Sequence, residues 1–342
     1  MLIFAAVHSE LHRPSRERAQ PEESLSNPRA FTILGRLGIT SALLTYALII
    51  IGSVVRTTGS GLACPDWPLC EGRLIPRFEF HVLIEWFHRL LALLVSLLLA
   101  ATAGWTLAHR ETRARLGGLA LLALGLLFVQ VLLGALTVWK LLDPSIVSGH
   151  LAVALLLFST LLALALIARS EAESGPAPEI EPAPRAGMRG ATLLPLFALA
   201  TGMTYAQSLL GGLVSTNHAG LVCPEWPTCN GQWFPPLEGL VGLQMTHRYG
   251  AYALVLTMLM VALRARSASD GSIRAGASLA FGLTLSQVVL GVCNVFLGTP
   301  PWLSAAHLAT AAAILGVMVM TTWRVARAEA RSAEPRMVGA VR

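Results

Sequence analysis

The feature that most constrains this chain is a succession of apolar stretches, each about 20 residues long, set between short polar segments. A helix of that length rises about 30 Å, the thickness of a bilayer's hydrocarbon core. Such stretches lie at 34–55, 82–108, 116–139, 147–168, 191–214, 243–264, 275–297 and 303–325. Lipid offers no partner to an exposed peptide group, so each stretch must be helical. Only 13% of the residues are charged, about half the share found in soluble domains. The expected fold class is all-α: a polytopic membrane protein with eight transmembrane helices.

The net charge of +6 says less than its placement. The tails and the second, fourth and sixth loops together hold eighteen Lys and Arg, whereas the four loops on the other side hold four: Arg56, Arg73, Arg77 and Lys140. Positive residues mark the cytoplasmic side, so both termini are expected there. No basic patch interleaved with aromatics points to nucleic acid, and none is expected as a partner. The apolar run at the N-terminus is short and meets charges instead of a small-residue cleavage site, which argues against a signal peptide. Glu10, Glu17, Glu22 and Glu23 argue against a transit peptide.

The expected organisation is a cytoplasmic tail over 1–33, a four-helix bundle over 34–168, a linker over 169–190, a second four-helix bundle over 191–325 and a tail over 326–342. The linker is rich in Pro, Ala and Glu and lacks apolar periodicity. The two bundles repeat each other. GSVVRTTGSGLACPDWPLCEGRLIP (52–76) aligns with GGLVSTNHAGLVCPEWPTCNGQWFP (211–235), EWFHR (85–89) with QMTHR (244–248), and QVLLGALTV (130–138) with QVVLGVCNV (287–295). Four helices per half is an even number, so the halves run the same way, about an axis along the membrane normal.

Four of the nine histidines fall within these helices, and the repeat pairs them: His88 with His247, and His150 with His307. An ionisable side chain in a membrane span is expensive and commonly functional. One isolated histidine is as well explained by a bond to a neighbouring helix; four in a repeating pattern are not. At 1.5 Å per residue, His88 and His150 lie roughly 9 and 5 Å inside the outer boundary. Two imidazoles at similar depth in one bundle suit a flat iron porphyrin with one axial ligand from each helix. Zinc generally takes three or four protein ligands.

Glu85 precedes His88 by three residues and shares its helix face, whereas the matching position in the second half is Gln244. A carboxyl at this depth is costly and suits proton transfer; pairing with Arg89 or Arg56 is the bland alternative. Arg89 and Arg248 are candidates for porphyrin propionates or for snorkelling to the interface. Cys64 and Cys70, like Cys223 and Cys229, flank a C-P-[DE]-W-P-x-C loop on the outer side. Disulfides persist in an oxidising compartment; zinc binding and a redox-active pair are the other readings. Trp67 and Trp226 read as interface anchors, and Cys293 as packing.

Together, EWFHR, His150, the CPDWPLC loop, MTHR (245–248) and His307 resemble the heme A synthase family, over roughly residues 34–325. The resemblance implies oxidation of the C8 methyl of heme O to a formyl group by successive hydroxylations, giving heme A for terminal oxidases. It places heme O, whose farnesyl tail is strongly apolar, between His88 and His150 in the first half. It places a heme b cofactor between His247 and His307 in the second. It makes Glu85 the essential acid and Cys64–Cys70 a disulfide; many members lack the second pair, Cys223–Cys229. It implies a multi-pass protein of the bacterial inner membrane, with heme O synthase and an electron donor as candidate partners and the oligomeric state left open. Two other functions compete. A di-heme b-type electron-transfer cytochrome explains the paired histidines but not Glu85 opposite Gln244. A heme transporter or assembly partner would call for a polar pathway, and few ionisable groups lie deep in these helices.

Overall fold

The computed structural model describes residues 28–173 and 192–333. Among them are eight α-helices: α1 Pro28–Thr57, α2 Phe80–Ala108, α3 Arg110–Trp139, α4 Pro144–Glu173, α5 Leu194–Thr216, α6 Gly239–Ala265, α7 Gly271–Phe296 and α8 Pro301–Ala333. Proline opens α1, α4 and α8, where its missing N–H is no loss. Several helices overrun the expected spans. α1 begins six residues before 34, α4 runs on to Glu173, and α8 runs on to Ala333. These extensions carry polar contacts: Arg115 pairs with Glu171 at 3.0 Å, and Glu329 accepts the N–H groups of Leu193 and Leu194 at the start of α5. Most of the N-terminal tail, the linker beyond Glu173 and the end of the C-terminal tail lie outside the described residues.

Seven of the eight helices are long and apolar enough to cross a membrane; the chain is a multi-pass membrane protein. The eighth, α5, is 23 residues long. Thr201, Thr204 and Ser208 are buried along it, which lowers its hydropathy. It packs on α4, α6 and α8, so its polar hydroxyls face protein, where they bond to backbone or to each other, as Thr201 does with Thr322 at 2.9 Å.

Within each half the helices close a ring: α1–α2–α3–α4 back to α1, and α5–α6–α7–α8 back to α5. Between halves, α1 meets α8, α4 meets α5, and α4 meets α8. Exchanging the first four helices for the last four maps this contact pattern onto itself. The seam shows the same correspondence in single bonds. Tyr46 on α1 donates to the Ala309 carbonyl on α8 at 3.1 Å, and its counterpart Tyr205 on α5 donates to the Ala152 carbonyl on α4 at 3.3 Å. Leu155, Leu161, Ala312 and Leu315 fill the core between the halves.

Candidate functional site

The loop between α1 and α2 and the loop between α5 and α6 are each closed by a disulfide, Cys64–Cys70 and Cys223–Cys229. Each pair closes on itself, which sets aside zinc held by all four cysteines. The cystines pack on the helices that carry histidine, against Val82 on α2 and Met245 on α6. Inside the first ring the Asp66 carboxylate accepts the N–H groups of Glu71 and Gly72 at 2.6 and 2.7 Å. The Gly72 N–H holds that carboxyl below the usual carboxylate range. In the second ring the Glu225 carboxylate accepts the Gly231 N–H.

An arginine on the helix below grips each ring. Arg89 donates to the carbonyls of Cys64 (3.0 Å), Asp66 (2.6 Å) and Leu69 (2.6 Å). Arg248 donates to the matching carbonyls of Cys223 and Thr228, both at 2.7 Å. Neither guanidinium simply reaches for the interface, as snorkelling would require. Arg248 is 5% exposed, and its Nε–H is buried without a partner.

Glu85 is 4% exposed. One oxygen pairs with Arg89 at 2.6 Å and the other accepts the Cys64 N–H at 2.8 Å. The carboxylate therefore ties α2 to the disulfide ring. Gln244 is equally buried, donates to the Gly220 carbonyl at 3.2 Å, and leaves its Oε1 unsatisfied.

The histidines stand at matched depths. His88 and His247 each come eight residues after the first residue of their helix, and His150 and His307 each come six after. His88 interacts electrostatically with His150, and His247 with His307, so the members of each expected pair are neighbours. Each ring lies against a glycine of an odd-numbered helix. A β-carbon at Gly52 would stand 3.2 Å from His88 Cε1, one at Gly134 3.3 Å from His150 Cε1, one at Gly211 2.9 Å from His247 Cε1, and one at Gly291 3.1 Å from His307 Cε1. Two glutamines complete the surroundings. The Gln130 amide lies 3.1 Å from His150 Nε2, and the Gln207 amide lies 3.0 Å from His247 Nδ1. The Nδ1 atoms of His88, His150 and His307 are buried without a protein partner.

Sequence reasoning passed over the four glycines and both glutamines. Gly52 and Gly211, and Gly134 and Gly291, stand inside strings that the repeat aligns, so the signal was present. Gln207 has no such signal, because Leu48 holds the matching place. Cys293 is a free, partly buried thiol on α7.

Among the described residues no three His, Cys, Asp or Glu side chains gather into a metal-binding group. The fold and site thus define a multi-pass helical protein with two repeated two-imidazole cages, each roofed by a disulfide ring. Residues 35–319 match the model of the cytochrome oxidase assembly protein family, COX15-CtaA, and the chain belongs to that family. It is 31% identical to a heme A synthase of Methylobacterium sp. strain 4-46, over 90% of this chain and 94% of the relative. It is 31% identical to a heme A synthase of Caulobacter vibrioides, over 84% of this chain and 94% of the relative. A heme A synthase of Symbiobacterium thermophilum is also 31% identical, over 75% and 84%.

Proposed function

We propose that this protein is a heme A synthase of the bacterial inner membrane. It crosses the bilayer eight times, as two four-helix bundles, with both termini in the cytoplasm and the disulfide rings outside. It oxidises the C8 methyl of heme O to a formyl group. His88 and His150 hold the substrate heme, and His247 and His307 hold heme b. The observation that carries this reading is the repeated pair of neighbouring imidazoles, each ring backed by a glycine, with a carboxyl beside only one pair.

The donor set fits a porphyrin iron: two neutral nitrogen ligands per site and no third protein ligand. The glycines fit as well, since each lets a neighbouring backbone lie flat against an imidazole. When bound, the second heme supplies one-electron redox chemistry to a site that holds an apolar substrate away from water. The protein's own groups orient and handle protons. Glu85 takes a proton at its carboxylate oxygens during methyl oxidation, with Arg89 as its counter-ion. Of the two arginines, Arg248 is the one left to meet a propionate: no carboxylate pairs with it directly, and it keeps one unpaired donor. Arg89 already has Glu85.

The test is expression in cells that make heme O but lack heme A, followed by pigment chromatography of the purified protein. Heme A beside heme b is the expected result. Heme b alone would leave only an electron-transfer cytochrome.

A further inference from the structure

Glu85 is not the only polar side chain that the first half has and the second lacks. Ser60 and His81 correspond to Ala219 and Leu240. The fold joins these two: Ser60 Oγ lies 2.9 Å from His81 Nδ1. Ser60 is fully buried, whereas His81 is exposed. Counting protons fixes the direction of the bond. The Thr58 hydroxyl gives its one proton to the Val54 carbonyl at 2.7 Å, so its contact with Ser60 Oγ at 2.8 Å is one in which it accepts. Ser60 therefore donates to Thr58, and its oxygen accepts from the N–H at His81 Nδ1. The chain from His81 through Ser60 and Thr58 to Val54 ties the start of α2 to the end of α1.

This tie lies one turn of α2 from Glu85, on the same helix face, since His81 precedes Glu85 by four residues. The loop connects the two points. The Ser60 carbonyl accepts the Ala63 N–H at 3.1 Å, and the next N–H, that of Cys64, is the one that reaches Glu85 Oε2 at 2.8 Å. The turn over 60–64 is thus pinned to α2 twice, at Ser60 by His81 and at Cys64 by Glu85. The second half closes its ring without such a tie. Its disulfide forms and Arg248 holds its carbonyls, although Ala219 has no hydroxyl and Leu240 no donor. What differs there is the contact beneath the ring: Gln244 donates to the Gly220 carbonyl, and its Oε1 accepts nothing. The tie is therefore not needed to build a ring. It accompanies the bond between ring and carboxylate.

We propose that Ser60 and His81 are positioning residues for Glu85: by pinning the turn, their hydrogen bond holds the Cys64 N–H in place on the carboxylate. The inference rests on the proton-handling role proposed for Glu85 and deepens it. A carboxylate that takes up and returns a proton works best against a donor whose position is set in advance, and that donor must itself be held by its neighbours. What the site asks of residue 81 is a donor. Asn supplies one at the same distance from the β-carbon, and Leu does not.

The experiment uses the full-length protein purified from cells that make heme O. It reads heme A formed, pigment retained, and hydrogen–deuterium exchange at the Cys64 amide. His81→Leu and Ser60→Ala should each lower heme A formation about tenfold, the worth of one hydrogen bond to a charged group. Both should retain their pigments and speed exchange at the Cys64 amide by a similar factor. His81→Asn should restore turnover and exchange together. Normal turnover in His81→Leu would overturn the proposal, whether or not exchange is faster. So would a loss of turnover that Asn does not restore, since packing of the ring alone would then explain it. Should His81→Leu lose pigment through misfolding, Ser60→Ala, which removes a single oxygen, decides by the same readings: slower turnover with faster exchange supports the tie, and wild-type values overturn it. A wild-type protein that makes no heme A would instead sink the proposed reaction, a failure distinct from all of these.

Discussion

Two rings of the same design sit on this protein, and the helix position beneath them differs: a carboxylate, Glu85, in one half and an amide, Gln244, in the other. In the first half, Arg89 holds three loop carbonyls and the Glu85 carboxylate. In the second half, Arg248 holds the matching Cys223 and Thr228 carbonyls, and Gln244 occupies the sequence position of the carboxylate. The first site balances its charges internally. The second keeps a buried cation whose hydrogen bonds go to neutral carbonyls, with Glu225 acting on it electrostatically but not in direct contact. The comparison teaches that the arginine belongs to the shared loop architecture, since it survives the loss of its counter-ion. The carboxylate is an addition peculiar to one half, and the burial of a costly group there needs a reason other than holding the ring.

The sharpest way to break that comparison is Glu85→Gln, which makes the first half resemble the second. Heme A formation should fall by roughly 10²–10⁴-fold, the usual worth of a positioned acid or base, with both pigments retained in the absorption spectrum. Full turnover would reduce Glu85 to a strut between α2 and Cys64. Next in size are the glycine cradles. Gly211→Ala places a methyl 2.9 Å from His247 Cε1 and should displace that ring, whereas Gly134→Ala meets His150 Cε1 at 3.3 Å. Reduced-minus-oxidised spectra should show pigment loss for the first and near-normal content for the second. Equal effects would deny that the rings are seated by contact.

The arginines separate the two loops by stability. Arg89→Met strands a buried carboxylate and should cost about 3–5 kcal/mol. Arg248→Met strands only carbonyls and should cost about 1–3 kcal/mol. Thermal unfolding in detergent ranks them, and the reverse order would contradict the ion-pair geometry. The smallest effect belongs to Asp66. Its carboxyl is held below the unfolded value of about 3.9. Its contribution to the loop is therefore present above that value and is lost as pH falls through the lower folded one. Accessibility of the Cys64–Cys70 bridge to a reductant should stay flat from pH 7 to about 5 and rise only below about 4.

Much of the fold could be read in advance from apolar stretches of bilayer length, and α5 shows why one span is harder to see. Its Thr201, Thr204, Gln207 and Ser208 read as polar, yet they serve contacts with neighbouring helices that hydropathy does not register. Pairing of the histidines was legible because a gene-level repeat puts the same residue at the same depth twice. The roles of Arg89 and Arg248 were not legible. Their partners are backbone carbonyls about twenty residues away in sequence, brought close only when each loop folds back onto the helix. Gln207 was hidden for a similar reason: it stands opposite Leu48, and the room it fills exists because Gly250 replaces Leu91.

By itself the sequence determined what lipid and repetition enforce: helices where peptide groups have no other partner, imidazoles at matched depth, cysteines spaced to close small rings, and one carboxyl without a twin. Only the tertiary structure decided what those groups touch. Contact depends on how helices approach each other, and that distance is set by glycines and by loop carbonyls, whose chemistry is identical at every residue and so leaves no mark in the pattern of side chains.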